Sequence, residues 1–203
     1  PELAFLALAV WIILKFDWWW AIPVAALGAW NKESFLLIVP TLYPLIRRRT
    51  SRTAAFLGVV VLCSVCIAVY VPIWLRFSHN PGSTVAMRWL DQLRFFLHPR
   101  ALLFSTQEAY GVRVLWASSV VPMALLIWTV WRGWRQLPPV IQRHGQIAAA
   151  INIPLYFLFC TPGELRDLSM LYLVFLLVLA VNLNELLGAS NEASTAGRAH
   201  HVS

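Results

Sequence analysis

The sequence predicts an all-α fold: a polytopic helical membrane protein with about six transmembrane helices and one amphipathic helix lying in the interface. Three observations carry this. Hydrophobic residues make up 60 % of the chain and charged residues 12 %, with a mean hydropathy of +0.68, whereas a soluble domain is about half apolar and about a quarter charged. Apolar runs of about 20 residues recur, the length a helix needs to cross the hydrocarbon core. These runs are continuously apolar, without the alternation that a membrane β-barrel strand requires.

Leu3 to Phe16 is the first predicted span. It reads as a helix already under way at the start, so the chain is read as N-terminally truncated, with no signal peptide in view. Lys15-Phe16-Asp17-Trp18-Trp19-Trp20 follows as a turn whose indoles favour the membrane interface. Ala21 to Ile46 is long for one crossing. It fits either a tilted helix or two half-helices broken near Asn31 to Ser34, with Pro23 and Pro40 loosening the hydrogen-bond ladder. Arg47-Arg48-Arg49-Thr50-Ser51-Arg52 closes that block, and Ala54 to Leu75 is the third span.

The longest polar stretch, Arg76 to Gly111, comes next. Ser78 to Ser83 reads as a loop by its turn residues. Val85 to His98 reads as the interfacial helix, because Ala86, Trp89, Leu90, Leu93, Phe96 and Leu97 share one face and Arg88, Asp91 and Gln92 the other. Ser105 to Glu108 is read as a cap. Val112 to Trp131 is the fourth predicted span, and a basic, proline-broken loop runs from Arg132 to His144. Gln146 to Cys160, interrupted by Pro154, is the fifth span. A tight turn, Thr161 to Asp167, precedes the sixth, Leu168 to Leu187. Residues 1–187 make the transmembrane domain, and 188–203 a small, polar tail read as disordered.

The net charge of +7 does not form a nucleic-acid footprint. Its arginines cluster in short loops between apolar runs, as topology signals do. The expected partner is therefore the lipid bilayer, with no nucleic acid. Loops 47–53 and 132–145 are placed on the cytoplasmic face of a plasma (inner) membrane. The opposite face then receives Asp17, Asp91, Glu108, Glu164 and Asp167. Cys63, Cys66 and Cys160 all fall in apolar segments; the Cys63–Cys66 spacing lacks a redox-fold context and fits close helix packing instead. The five histidines have no metal-ligand spacing, so no metal site is predicted and a divalent cofactor is left unknown. There is no phosphate-binding loop, dinucleotide fingerprint or nucleophile elbow.

The candidate site is Gly28-Ala29-Trp30-Asn31-Lys32-Glu33-Ser34-Phe35, a polar break between apolar blocks. A charge at the centre of a membrane helix costs about 2.5 to 3.5 kcal/mol, so such groups face a partner or a wet cavity. Lys32 and Glu33 are read as a buried ammonium–carboxylate pair looking into an outer watery cleft, which would bring them toward Glu164 and Arg166. The other reading is a charge pair at a helix end in the headgroup zone.

The same segment, continued to Pro40, resembles the small–apolar–N/T-K-E-T/S–apolar–P stretch of GT-C-type polytopic membrane glycosyltransferases, the mannosyltransferase-like superfamily. The block Trp19 to Arg49 is similar to that family's middle spans, and Gly163-Glu164-Leu165-Arg166-Asp167 to a turn before its last span. The resemblance implies inverting transfer of a sugar from a polyprenyl-phosphate donor to an extracytoplasmic acceptor. It implies a catalytic acid in a first outer loop, upstream of Pro1, so the catalytic residues are unknown here. It implies substrate binding by Asn31, Lys32, Glu33, Glu164 and Arg166, with Lys32 toward the donor phosphate, and lipid-headgroup contacts from Arg88 and Arg94. A lysine suits phosphate as a compact point charge. Two other classes stay open: a transporter or flippase-type protein with its path at the Asn31-Lys32-Glu33 break, and a non-catalytic membrane scaffold.

Overall fold

A computed structural model describes residues 2–79, 87–104, 106–109, 112–115, 119–160 and 168–199. Helix α1 (Glu2–Lys15) buries Leu6, Ala9, Val10 and Ile13, whose spacings of three and four put them on one face. A 3-10 turn at Trp18–Ala21 leads into α2 (Ile22–Asn31). The backbone opens to an extended conformation at Lys32, and the chain restarts as α3 (Phe35–Ile38), a 3-10 turn at Val39–Leu42 and α4 (Tyr43–Arg47). Pro40 and Pro44 fall in these short pieces; each removes a backbone donor, which accounts for the lack of a continuous helix there.

Helix α5 (Arg52–Phe77) starts where the Ser51 side chain accepts a hydrogen bond from the Ala54 N–H at 3.2 Å. Then come α6 (Trp89–Leu97), α7 (Pro99–Phe104) and an antiparallel pair of strands, β1 (Thr106–Ala109) and β2 (Val112–Leu115), in the register Thr106 opposite Leu115. Helices α8 (Val120–Trp134), α9 (Pro139–Phe159) and α10 (Ser169–Ala199) complete the chain.

The directions of these helices follow from a few contacts. Arg49 Nη1 donates to the Phe16 carbonyl at 3.1 Å, while Lys32 Nζ reaches Glu2 Oε2 at 3.0 Å. So α2 returns from the Phe16 end of α1 to its Glu2 end, and the α3–α4 segment comes back again. The second apolar block is a helical hairpin, not one crossing. The two readings of the sequence are decided for the broken one, but with the halves antiparallel. Trp18 lies against Gly58, and Cys66 Sγ contacts the Ala25 carbonyl at 3.5 Å, so α5 rises alongside α2.

Thus the bundle has an arginine end (Phe16, Arg47–Arg52, Arg132) and a lysine end (Glu2, Lys32, Ser169). Asp17, expected opposite Arg47–Arg52, belongs to the arginine end with them. The core runs between the two ends through Leu6, Val24, Phe35, Leu42, Leu62 and Val178.

Two helices are long and apolar enough to cross a membrane, Arg52–Phe77 and the Ser169–Gly188 part of α10, and only 22 % of each apolar window is buried. A core helix of a soluble protein would be mostly covered; here Phe56, Leu57, Val60, Val71 and Trp74 of α5 face outward. Phe35–Arg47 and Val120–Trp134 are shorter apolar helices.

Other boundaries shift. The fourth predicted span begins at Val120 rather than Val112, because Val112–Leu115 pairs as a strand with Thr106–Ala109; Thr106 to Glu108 is therefore strand and not a cap. α9 starts at Pro139, a residue suited to the first helical turn, so Arg143 and His144 are helical and the basic loop shrinks. Helical backbone also continues beyond Leu187 into the polar stretch read as a tail, as far as Ala199.

Candidate functional site

The lysine end is assembled from three helix termini. At the tip of the hairpin, the Lys32 N–H donates to the Gly28 carbonyl at 2.9 Å and closes α2. The Phe35 N–H then returns to the Lys32 carbonyl at 3.0 Å and begins α3. Phe35 is fully buried, meets Phe5 edge-on at 6.5 Å between ring centroids, and lies against Gly28. A Cβ at position 28 would sit 2.7 Å from the Phe35 ring. The apolar anchor goes inward, so the polar tip residues Asn31, Lys32 and Glu33 are left at the surface.

Glu2, in the first turn of α1, is the hub of the cluster. Its carboxylate accepts from Lys32 Nζ at 3.0 Å, Ser34 Oγ at 2.7 Å and Ser169 Oγ at 3.2 Å. The Glu2 side chain is 11 % exposed and that of Lys32 is 51 %. A carboxylate this covered is tolerated because its lone pairs are met by donors. The ammonium keeps part of its donor capacity for solvent or an anion.

This corrects the expected pairing. Lys32 and Glu33 do not form a buried pair in a cleft. Lys32 binds a carboxylate 30 residues upstream, while Glu33 and Asn31 are exposed and, among the described residues, have no side-chain partner. Adjacent residues at the end of a helix diverge in direction, whereas the antiparallel return of α2 brings Lys32 to the start of α1. Glu164 and Arg166 lie outside the described residues, although Ser169 links the start of α10 to Glu2.

Arg88 and Arg94 are exposed at α6, and neither has an ion-pair partner among the described residues. α6 is docked on the end of α9. Gln92, wholly buried, donates through Nε2 to the Tyr156 and Cys160 carbonyls at 3.2 Å each, and the Arg88 N–H donates to the Leu158 carbonyl at 2.7 Å. These carbonyls lie at the C-terminal end of α9, where a helix runs out of intrahelical donors; the Tyr156 carbonyl also accepts from the Cys160 N–H at 3.2 Å. The polar residue read as solvent-facing is therefore the one that holds the helix in place.

Glu2 and Ser169 were missed by sequence reasoning. A signal for Glu2 existed: it is the lone charge ahead of Lys15, and Lys32 is the lone base between Lys15 and Arg47. A charged residue closing an apolar helix calls for a partner of opposite sign. Among the described residues, no three His, Cys, Asp or Glu side chains converge as a metal site would require. Comparison with known protein families, curated proteins and solved structures found no match.

Proposed function

We propose that this chain is a multi-pass membrane protein working as a GT-C-like glycosyltransferase, with Lys32 holding the phosphate of a polyprenyl-phosphate sugar donor at the lysine end. The carrying observation is a lysine only half covered, tied through one carboxylate, at the end that also carries Arg88 and Arg94, which have no ion-pair partner among the described residues. Three cations facing the same side suit a pyrophosphate- or phosphate-bearing lipid. The resemblance of the Asn31-Lys32-Glu33-Ser34 segment supports the same reading.

The dimensions support a membrane placement. The α2–α5 register, Trp18 by Gly58 and Ala25 by Cys66, continues to Lys32 at about 1.5 Å per residue. That sets Lys32 about 30 Å from Arg52 along the bundle, the hydrocarbon thickness of a bilayer. The arginine end is then cytoplasmic by the excess of arginine in its short connections, and the lysine end faces outward across the plasma membrane. A transport path at the hairpin break gains no support, because the break is at the end of the bundle and not midway along it.

A second reading has its own observation. Glu2 joins α1, the hairpin tip and α10 through three donors, as a purely structural clamp would. The experiment that separates them supplies radiolabelled polyprenyl-phosphate sugar to membranes holding the whole protein and compares wild type with Lys32→Ala. The transferase reading expects wild-type turnover and a loss of at least tenfold in the variant. Turnover that is unchanged in Lys32→Ala removes Lys32 from the mechanism; none in wild type, with a lower melting temperature in the variant, leaves the clamp.

A further inference from the structure

The arginine end contains a feature that the transferase reading does not use. Between α4 and the first turns of α9 lies a cavity of about 420 Å³, lined among others by Tyr43, Pro44, Arg47, Arg48, Val140 and Arg143. None of these three guanidiniums has a carboxylate within ion-pair distance among the described residues, where the pairs present are Lys32–Glu2 and Arg132–Glu185. Nor does any of their side chains hydrogen-bond to a described residue, unlike Arg49, which is used on the Phe16 carbonyl. Three like charges gathered round one cavity repel one another, a cost that an anion there removes.

The walls are two-sided in character. Pro44, Val140 and Tyr43 give an apolar floor. These arginines converge from two elements far apart in sequence. The α9 end adds the positive pole of its helix dipole, since Val140 and Arg143 lie in its first turns. A guanidinium fork matches two phosphate oxygens at once.

We infer that this cavity is a binding site for the phosphate of an acidic phospholipid, with Arg47, Arg48 and Arg143 on the phosphate and the apolar floor against the glycerol and first acyl carbons. Basic pockets between helices at a membrane face recognise such headgroups by the same chemistry. The site is at the opposite end from Lys32, so it stands or falls independently of the sugar-donor reading.

The test purifies the whole protein in mild detergent and measures retained lipid and melting temperature with added phosphatidylglycerol, phosphatidylcholine or soluble glycerol 3-phosphate. Saturable retention of phosphatidylglycerol is expected, at least tenfold tighter than phosphatidylcholine, with a rise in melting temperature. The Arg48→Gln/Arg143→Gln double variant, both sites being exposed, is expected to lose at least tenfold of that affinity. The Arg132→Gln variant, which removes an arginine already paired with Glu185, is expected to stay within twofold of wild type. Should the double variant melt early without lipid, Arg48→Lys/Arg143→Lys replaces it, keeping charge but losing the fork, with an expected loss of at least threefold. Equal retention of phosphatidylcholine, an equal loss in Arg132→Gln, or full retention in whichever arginine double variant folds overturns the site. Glycerol 3-phosphate binding as tightly as the lipid overturns the lipid and leaves a soluble phosphate ester.

Discussion

At position 28 the hydrogen of a glycine is all that the Phe35 ring leaves room for, since a Cβ there would approach to 2.7 Å. That contact packs the two arms of the reversal against each other. Gly28→Val should overpack the turn and destabilise the fold by about 1 to 3 kcal/mol, read as a drop in thermal midpoint in detergent; an unchanged midpoint contradicts the close packing. Glu2 makes a comparable case from the polar side. Glu2→Ala leaves Lys32, Ser34 and Ser169 without their shared acceptor. Because Lys32 is half exposed and can turn to solvent, the cost is set mainly by the two hydroxyls, about 1 to 2 kcal/mol. Lys32→Ala should cost less than Glu2→Ala in the same melting assay, and the reverse order would mean that the ammonium is the more deeply held partner. At this scale the sequence marked Lys32 as a charge in an apolar block that faces a partner or a wet cavity. It did not show which partner, because the carboxylate that answers it is 30 residues away and only the reversal of α2 brings the two together.

Two glutamine amides each set a helix end. Gln142 Nε2 donates to the Trp134 and Leu137 carbonyls at 3.0 Å each, closing α8 and the turn after it, as Gln92 closes α9. Substituting Gln92 by leucine keeps the bulk but removes the amide that donates to the Tyr156 and Cys160 carbonyls. We expect α6 to come loose while α5 and α10 stay folded. Limited proteolysis should then cut near Arg88 and Arg94 several times faster than in wild type, and equal cutting rates would show that the apolar face alone holds α6. The periodicity of Trp89, Leu90, Leu93, Phe96 and Leu97 was enough to read α6 as a helix. The role of Gln92 was not legible, since hydropathy cannot distinguish a polar face that meets water from one that meets the carbonyl end of another helix. Similarly, Val112–Leu115 is apolar enough to be taken into the following span, although it pairs with Thr106–Ala109 just upstream; a short apolar run does not distinguish strand from helix by periodicity.

For the molecule as a whole, composition was the dependable guide: the described residues are mainly helical, and two helices are long and apolar enough to cross a membrane while remaining largely uncovered. The count of spans was less legible, because Ala21 to Ile46 has the hydropathy of one long crossing whether or not it doubles back. Side-specific labelling settles the matter. In a background with Cys63, Cys66 and Cys160 replaced by serine or alanine, single cysteines at positions 17, 33 and 48 are expected to divide two against one. Positions 17 and 48 should react from the same face and 33 from the other, since Phe16 and Arg49 are hydrogen-bonded while Glu33 is at the far tip. A single straight crossing would instead place 17 and 48 on opposite faces.

The doubling-back also alters the parity of the chain. The reversal at the hairpin tip adds one change of direction to the reading in which Ala21 to Ile46 crosses once. In the membrane placement proposed above, a reporter enzyme joined after α10 should be active on the side from which position 48 reacts, since Glu185 of α10 pairs with Arg132 at the arginine end. One glycine-sized gap under a phenylalanine ring thus lies where the chain turns back on itself.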